Sequence, residues 1–326
     1  MDRTVDVNRI LEILADGEFH SGESLGRALG VSRTAIWKQV SRLEGMGLTV
    51  HSVKGKGYRL VEGPELLSEQ IIRAALGVEA AELFPAIKVK SEVASTNDEV
   101  KAAGVFAAPL VCFAETQYAG RGRRGRQWVS PYGSNIYMSL SWEFPELSGS
   151  LDGLSLCVGV AVARAVRAVG VEAVGLKWPN DIVYDGQKLA GILLEMEGEL
   201  AGPVRVIIGI GINVAMTRAE GADIDQSWIS LAKIATSKIS RNQLAAEVLT
   251  ELSRVLPKFQ SEGFVGFREQ WSDFDVLRGS PVVLSMANRK INGVARGVTG
   301  EGELLIENER GVHPYRAGEV SVRTEQ

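Results

Sequence analysis

Residues 175–195 read GLKWPNDIVYDGQKLAGILLE, and their pattern predicts a strand, a turn, a strand, a hairpin turn and a strand. Pro179 and Asn180 have turn chemistry, and Lys188 begins the third strand. A plain turn followed by an ordinary hairpin lysine is one interpretation. The other is a ligand site, because lysines and an Asn-Asp pair on adjacent strands suit phosphates and a magnesium ion.

A second motif, GRGRRGR at residues 120–126, lies between two strand-like runs. Its four arginines repel one another, and its glycines let backbone N–H groups approach a ligand closely. Guanidinium groups bind phosphate or carboxylate oxygens bidentately, so the motif predicts an anion-binding loop that is mobile until it is neutralised. An RG-rich RNA-binding tail is the alternative, although such tails usually lie in disordered termini or repeats.

Two shorter motifs complete the set. The stretch STND at residues 95–98 is nearly a capping box and predicts a helix through Ala103. Pure capping explains it, and so does the binding of a small polar ligand at exposed N–H groups. The stretch GIGIN at residues 209–213 fails as a dinucleotide fingerprint because the third glycine is missing. Its small residues would instead let a ligand approach a buried strand, with Asn213 as a polar handle.

The first 60 residues have a different pattern of apolar, capping and turn residues. Apolar residues at helical spacing and serines at capping positions predict helices over residues 8–15, 21–29 and 32–43. Residues 48–61 then alternate like strands around a KGKG turn, which predicts a β-hairpin. Two helices joined by a glycine-containing turn and followed by a hairpin are typical of a winged helix-turn-helix.

Charge favours DNA as the ligand of this unit. The whole chain has a formal net charge of −4, but residues 30–60 contain six basic residues and one acidic residue. A cationic recognition helix and wing would meet DNA phosphates, whereas a protein-binding or dimerisation module is the alternative. The predicted DNA-contacting residues are Ser32, Arg33, Thr34, Trp37, Lys38, Arg42, Lys54 and Lys56.

Length and composition predict a folded chain of about two domains, or of three small ones. The 326 residues are 45% hydrophobic and 23% charged. Two cysteines and three dispersed histidines indicate neither a disulfide framework nor a zinc site. We expect a cytoplasmic protein without a membrane partner, because the chain has neither a secretory signal nor a long uncharged apolar run. No Ser-His-Asp or Cys-His set is evident, which favours phosphoryl or nucleotidyl chemistry based on positioning and charge stabilisation.

The predicted fold class is α+β and multidomain. A winged helix-turn-helix is expected at residues 1–63 and a mixed α/β domain at residues 66–274. Residues 276–326 hold about five short alternating runs, which are typical of a small β-barrel. A barrel of that size is marginally stable alone, so we expect it to dock on the middle domain.

The motifs, in this order and behind a winged helix, closely resemble the bifunctional biotin–protein ligases that also repress biotin synthesis genes. The resemblance covers essentially the whole chain, and its most specific elements are GRGRRG, KWPND and KLAGIL. It implies a biotin/lipoate-ligase-like catalytic domain and an SH3-like C-terminal barrel. It also implies two steps that use ATP and Mg²⁺. The biotin carboxylate attacks the α-phosphate of ATP to form biotinoyl-AMP, and a lysine of a biotin carboxyl carrier domain then attacks this anhydride.

The resemblance also implies residue roles. Arg123 and Lys188 are expected to be catalytic, stabilising charge at the acyl-phosphate centre. The expected biotin-binding residues are Ser95, Thr96, Asn97, Gln117, Gly120, Arg121, Gly122, Arg123 and Lys188. The expected ATP- or AMP-binding residues are Arg126, Trp128, Lys177, Asn180, Asp181, Asn213 and Arg323. Asp181 is also the expected magnesium ligand.

The implied partners are the carrier domain, operator DNA and a second copy of the chain. Ordering of the arginine loop by biotinoyl-AMP would lower the entropic cost of dimerisation. Three alternatives stay open. A lipoate–protein ligase would share the catalytic architecture. A biotin-sensing transcription factor would lack ligase activity, and a simple ligase would have a winged helix that does not bind DNA.

Overall fold

The computed structural model describes residues 7–60, 63–104, 108–145, 151–197, 203–286, 289–317 and 321–324. The helices are α1 (Val7–Leu14), α2 (Gly22–Leu29), α3 (Arg33–Gly45), α4 (Glu69–Ala75), α5 (Val78–Leu83), α6 (Thr96–Ala102), α7 (Leu151–Ala168), α8 (Arg241–Glu262) and α9 (Arg268–Ser272). The strands are β1 (Val50–Val53), β2 (Gly57–Leu60), β3 (Ala86–Val93), β4 (Leu110–Gln117), β5 (Ile136–Phe144), β6 (Gly175–Lys177), β7 (Asp181–Tyr184), β8 (Gln187–Glu197), β9 (Val204–Ile212), β10 (Pro281–Ser285), β11 (Lys290–Val298), β12 (Leu304–Asn308), β13 (Gly311–Tyr315) and β14 (Ser321–Thr324).

The N-terminal unit is the predicted winged helix. Ser21 caps α2 by accepting a hydrogen bond from the backbone N–H of Ser24 at 3.0 Å, and Gly30 ends this helix in the left-handed region with φ 69°. Ser32 caps α3 in the same way. Strands β1 and β2 pair antiparallel and form the wing. The apolar residues of the three helices and the wing form one small core, which also includes Tyr132 of the central domain.

The central domain is built on a mixed sheet with strand order β3-β4-β5-β9-β8-β7-β6. Strands β3 and β4 run parallel, and the other described neighbours run antiparallel. Every residue of β5 except Glu143 is buried, so this strand is covered on both faces. Helix α6 packs on β4, β5 and β9, while α7 packs on β6, β7 and β8 and against α8. The α/β expectation is confirmed.

The tail forms an antiparallel sheet with strand order β13-β12-β11-β10-β14. Its buried residues, among them Val282 and Leu304, belong to the same hydrophobic core as the central domain, which confirms the predicted docking. The indole N–H of Trp178 donates to the carbonyl of Gly302 at 3.0 Å across this boundary. The five strands agree with the number predicted, and Pro314 lies within β13. A proline is tolerated there because β13 is an edge strand.

Among the described residues, no helix combines the length and apolar character that a membrane span requires.

The segment between the winged helix and the central domain is tied down by a buried ion pair. The Arg241 guanidinium lies 2.8 Å from the Glu115 carboxylate, and both residues are at most 2% exposed. Arg241 also donates to the carbonyl of Glu65 at 2.6 Å and to the carbonyl of Asn135, and Glu115 accepts from the backbone N–H of Leu67 at 2.6 Å. Because nearly every polar atom of the pair has a partner, the cost of burying two charges is offset.

We expect Arg241→Ala to lower the free energy of unfolding by about 3–5 kcal/mol, because it leaves the Glu115 carboxylate buried and unpaired. Urea denaturation of the full chain measures this. The matched control is Arg254→Ala on the same helix, whose guanidinium is 60% exposed beside Glu251 and whose loss should cost less than about 1 kcal/mol. Equal losses in the two variants would contradict the role assigned to the buried pair.

Candidate functional site

A buried polar pocket forms where α6 begins. Ser95, Thr96 and Asn97 are each at most 4% exposed. Ser95 occupies the N-cap position, but its side chain makes no capping hydrogen bond, so pure capping does not explain the motif. Thr96 donates to the Gln117 side-chain oxygen from its backbone N–H at 2.9 Å and from its hydroxyl at 3.2 Å. Ser95, Thr96, Asn97 and Gln117 form what we call the ring pocket. It presents paired amide and hydroxyl groups suited to a small polar ring.

Ser139 on β5 joins this pocket, although sequence analysis did not name it. Its hydroxyl donates to the Thr96 hydroxyl at 2.7 Å and lies within hydrogen-bonding distance of the side-chain oxygen Oδ1 of Asn97. The available signal was a serine within a largely apolar, strand-like run. A Cβ at Gly209 would lie 2.4 Å from the Asn97 side-chain oxygen, which explains why β9 carries glycine here.

The GRGRRGR motif forms a compact loop between β4 and β5. Its base is closed by the N–H of Trp128 donating to the carbonyl of Gly120 at 2.9 Å and by the N–H of Gly122 donating to the carbonyl of Arg126 at 2.7 Å. At its tip, Arg124 is left-handed with φ 59°, a conformation rare for residues other than glycine. Arg126 is exposed.

Two arginines of this loop already have acceptors within the chain. Arg121 forms a bidentate pair with Asp98, with N···O distances of 2.6 and 2.7 Å, and lies 3.5 Å from Glu195. The Arg121 hydrogen bond holds the pKa of Asp98 below its ordinary value. Arg123 donates to the Asn180 side-chain oxygen at 3.2 Å and to the carbonyl of Ala317 at 2.6 Å.

Lys188 occupies the centre of the site. Its Nζ lies 2.6 Å from the Asp181 carboxylate and 5.4 Å from the centre of the Trp128 ring. Trp128 rests on glycines: a Cβ at Gly211 would lie 2.5 Å from the indole, and one at Gly191 would lie 3.0 Å from it. Gly211 of GIGIN and Gly191 of KLAGIL therefore make room for an aromatic side chain of the protein itself. That these small residues also let a ligand approach the strand stays a prediction.

The remaining predicted nucleotide residues have different surroundings. The Asn180 side chain binds β8 by donating to the carbonyl of Ile192 at 2.8 Å. Lys177 lies opposite Asp181 in the antiparallel pairing of β6 and β7. The Asn213 amide donates to the backbone carbonyls of Lys188 and Ile229, so it holds the chain around Lys188. Arg323 lies in β14, and its side chain falls outside the described residues.

Residues 215–230, for which sequence analysis made no prediction, adjoin Lys188. The N–H of Lys188 donates to the carbonyl of Ser227 at 3.0 Å. Trp228 is 6% exposed, and its indole donates to the carbonyl of Gly221 at 3.3 Å. Glu220 accepts from Ser134 at 2.8 Å, which ties this segment to the chain that follows the arginine loop. An isolated tryptophan in a polar stretch was the available signal.

The predicted DNA-contacting residues are all exposed on the winged helix. Trp37 on α3 is 58% exposed, and Lys54 and Lys56 lie at the tip of the wing. Arg42 differs from the others because its guanidinium pairs with Glu92 on β3 of the central domain. This contact places Arg42 at the boundary between the domains, and its contact with DNA stays a prediction.

Comparison with known proteins identifies this combination of fold and site. Residues 88–213 match the biotin/lipoate A/B protein ligase family, residues 7–59 match an HTH domain, and residues 279–323 match the biotin protein ligase C-terminal domain. The chain is 39% identical to the bifunctional ligase/repressor BirA of Escherichia coli (strain K12), over 99% of this chain and 98% of that one. The bifunctional ligase/repressor BirA of Bacillus subtilis (strain 168) is 33% identical, over 94% of this chain and 95% of that one.

A solved structure agrees with these relatives. The biotin protein ligase of Aquifex aeolicus, in complex with biotin and ATP, superposes with a TM-score of 0.66 at 29% identity. It covers 74% of this chain and 100% of that one. The protein therefore belongs to the biotin/lipoate A/B protein ligase family, which confirms the resemblance seen in its motifs.

We expect Gly211→Ala to displace Trp128 and to lower the free energy of unfolding by about 1–3 kcal/mol, as overpacking of a tight contact does. Urea denaturation and tryptophan emission measure the two effects. Gly77→Ala is the control, because a Cβ at Gly77 meets open space. If Gly211→Ala leaves both measurements at the level of this control, the close packing of Trp128 on β9 is wrong.

Proposed function

We propose that the protein is an ATP-dependent biotin–protein ligase that also acts as a DNA-binding repressor of biotin genes. It forms biotinoyl-AMP and transfers biotin to a lysine of a biotin carboxyl carrier domain. The observation that carries this proposal is the convergence of Arg123, Lys188 and Trp128 beside the buried Thr96–Asn97 pocket, in a chain related over its full length to bifunctional ligase/repressors.

The site can carry out such a reaction without a covalent nucleophile. Thr96, Asn97 and Gln117 would bind the polar ring of biotin through amide and hydroxyl groups. Arg123 and Lys188 would hold the acyl-phosphate region, where negative charge develops as the carboxylate attacks phosphorus. Asp181 orients the Lys188 ammonium. The arginine loop would shield the reactive anhydride from water until the carrier lysine arrives.

Magnesium is proposed only as a companion of the ATP phosphates. The part of the chain that the structure describes holds no group of three or more side chains suited to a metal ion. The Asp181 carboxylate pairs with Lys188, so it fits a positioning role better than a dedicated metal site. Phosphate oxygens and water commonly supply most Mg²⁺ ligands at nucleotide sites.

DNA binding and dimerisation are supported by separate surfaces. The proposed DNA surface comprises Ser32, Arg33, Thr34, Trp37, Lys38, Lys54 and Lys56, all of which are exposed. Strand β8 pairs with β9 as far as Glu197, whereas its described pairing with β7 ends at Gly191. Among the described strands, none pairs with this edge at residues 193–197, so a second copy would add to it there. Two winged helices in such a dimer would read a palindromic operator.

Three further assignments complete the proposal. The domain bounds are 1–63, 66–274 and 276–326. Arg323 completes the nucleotide site from the C-terminal sheet. A cytoplasmic location is consistent with ATP use and with the two buried free thiols, Cys112 and Cys157.

The ligase activity is tested by incubating the chain with ATP, Mg²⁺, a carrier domain and both biotin and lipoate. We expect biotin to be incorporated in preference to lipoate, together with biotin-dependent exchange between ATP and pyrophosphate. Preferential lipoate transfer would indicate a lipoate–protein ligase instead. Absence of exchange would indicate a biotin-sensing transcription factor without enzyme activity.

In the same assay, Arg123→Gly should leave the fold intact and let biotinoyl-AMP escape, because the variant loses the cation at the acyl-phosphate centre. Gel filtration of the complex followed by mass spectrometry measures the retained intermediate. The control is Arg124→Gly, which removes the neighbouring charge at a left-handed position that glycine favours. Retention in Arg123→Gly equal to that in the control would contradict the role of Arg123.

Analytical ultracentrifugation with and without biotinoyl-AMP tests the ligand-promoted dimer, and a mobility shift on the upstream region of the biotin genes tests DNA binding. We expect the ligand to promote the dimer, and we expect Arg33→Ala to weaken the shift more than Arg42→Ala does, because Arg42 faces Glu92. An unchanged monomer would refute the ligand-promoted dimer. Equal effects of the two substitutions would refute the placement of Arg42.

A further inference from the structure

Two carboxylates outside the predicted site converge on the base of the arginine loop. Asp98 lies one position beyond Asn97 on α6 and pairs bidentately with Arg121. Glu195 on β8 accepts from the Asn97 amide at 2.7 Å and lies 3.1 Å from Lys101 and 3.5 Å from Arg121. The ring pocket and the arginine loop are therefore joined through the same carboxylates.

Arg121 is well placed to control the loop as a whole. Its backbone forms an antiparallel bridge with Gln127, and the residues between them make the tip of the loop. Gly122 and Arg126 close the next hydrogen bond outward. A side chain fixed at this position therefore holds both ends of the loop, because the two ends are bonded to each other.

The carboxylates remain charged at neutral pH. The hydrogen bond from Arg121 lowers the pKa of Asp98. Burial raises the pKa of Glu195, but hydrogen bonds from Asn97 and Lys101 outweigh burial and leave it below its ordinary value. A guanidinium held by two carboxylates has few donors left for a third anion, so Arg121 is a poor direct ligand for a carboxylate or phosphate.

We propose that Asp98 and Glu195 are positioning residues that hold Arg121, and with it the base of the arginine loop, closed beside the ring pocket. The inference rests on the proposed function, since it assigns the retention of biotinoyl-AMP in part to this ionic latch. Asp98 is the point of the latch that can be changed without disturbing the core, because its side chain is 44% exposed.

The test uses the full chain loaded with biotinoyl-AMP made from labelled biotin. The complex is diluted into unlabelled biotin and ATP, and the rate at which labelled intermediate leaves the protein is measured. We expect Asp98→Asn to speed release about two- to fivefold, the range for a partly exposed ion pair. The KM for biotin should rise more than kcat falls, because the latch does not touch the reacting atoms. Asp98→Glu should restore slow release. Glu99→Gln, the same charge change one position along α6, is the control.

A second measurement does not depend on the proposed activity. Amide hydrogen exchange of residues 120–127 in the ligand-free chain should be faster in Asp98→Asn than in the wild type and in Glu99→Gln. If the wild type forms no biotinoyl-AMP, the proposed function fails, and this exchange measurement still decides the latch. Unchanged exchange overturns the proposal. Unchanged or slower release from Asp98→Asn also overturns it, since loss of its partner would then free Arg121 to bind the ligand directly.

Discussion

Electrostatic repulsion within the arginine loop is the constraint on which the site depends. Four like charges within seven residues cannot share one small volume unless each is given an acceptor or is left in water. The structure divides them. Arg121 is neutralised by Asp98 and Glu195, Arg123 reaches Asn180 and Ala317, and Arg124 and Arg126 stay exposed. The acceptors come from α6, β8, the β6–β7 turn and the C-terminal domain. The loop conformation therefore depends on the positions of all four.

The second constraint is space. The sheet beneath the loop carries glycines on neighbouring strands, and the Trp128 indole occupies the room that they leave. The Lys188 ammonium then lies between the Asp181 carboxylate and the face of that indole. A cation held by an anion on one side and a π face on the other keeps its position, which suits it to the stabilisation of charge that appears only during reaction.

The three domains meet around this centre. The C-terminal domain contributes the carbonyl of Ala317, which follows β13 and accepts from Arg123. The hydrogen bond from Trp178 to Gly302 joins this domain to the central one. The winged helix packs on Tyr132, a few residues beyond the arginine loop, and Arg42 ties it to β3. The chain from residue 117 to residue 135 therefore passes from the ring pocket, through the loop, to the boundary with the winged helix. These contacts give the ligand site and the proposed DNA-binding unit a shared segment of backbone.

The sequence by itself determined the elements of the winged unit, the mixed class of the central domain and the motifs of the family. Serine caps and Gly30 delimit the helices of the winged unit, alternation marks the strands, and the order of GRGRRG, KWPND and KLAGIL identifies the family. These signals are local, because caps, turns and periodicity depend on neighbours along the chain. Only the tertiary structure decided the partners: Arg42 with Glu92, Arg121 with Asp98 and Glu195, Trp128 with Gly211, and Ser139 with Thr96. Those pairs join residues that are distant in the chain or on different elements. The identity of a charged residue or a glycine does not specify which distant group it will contact, because that depends on how the chain folds.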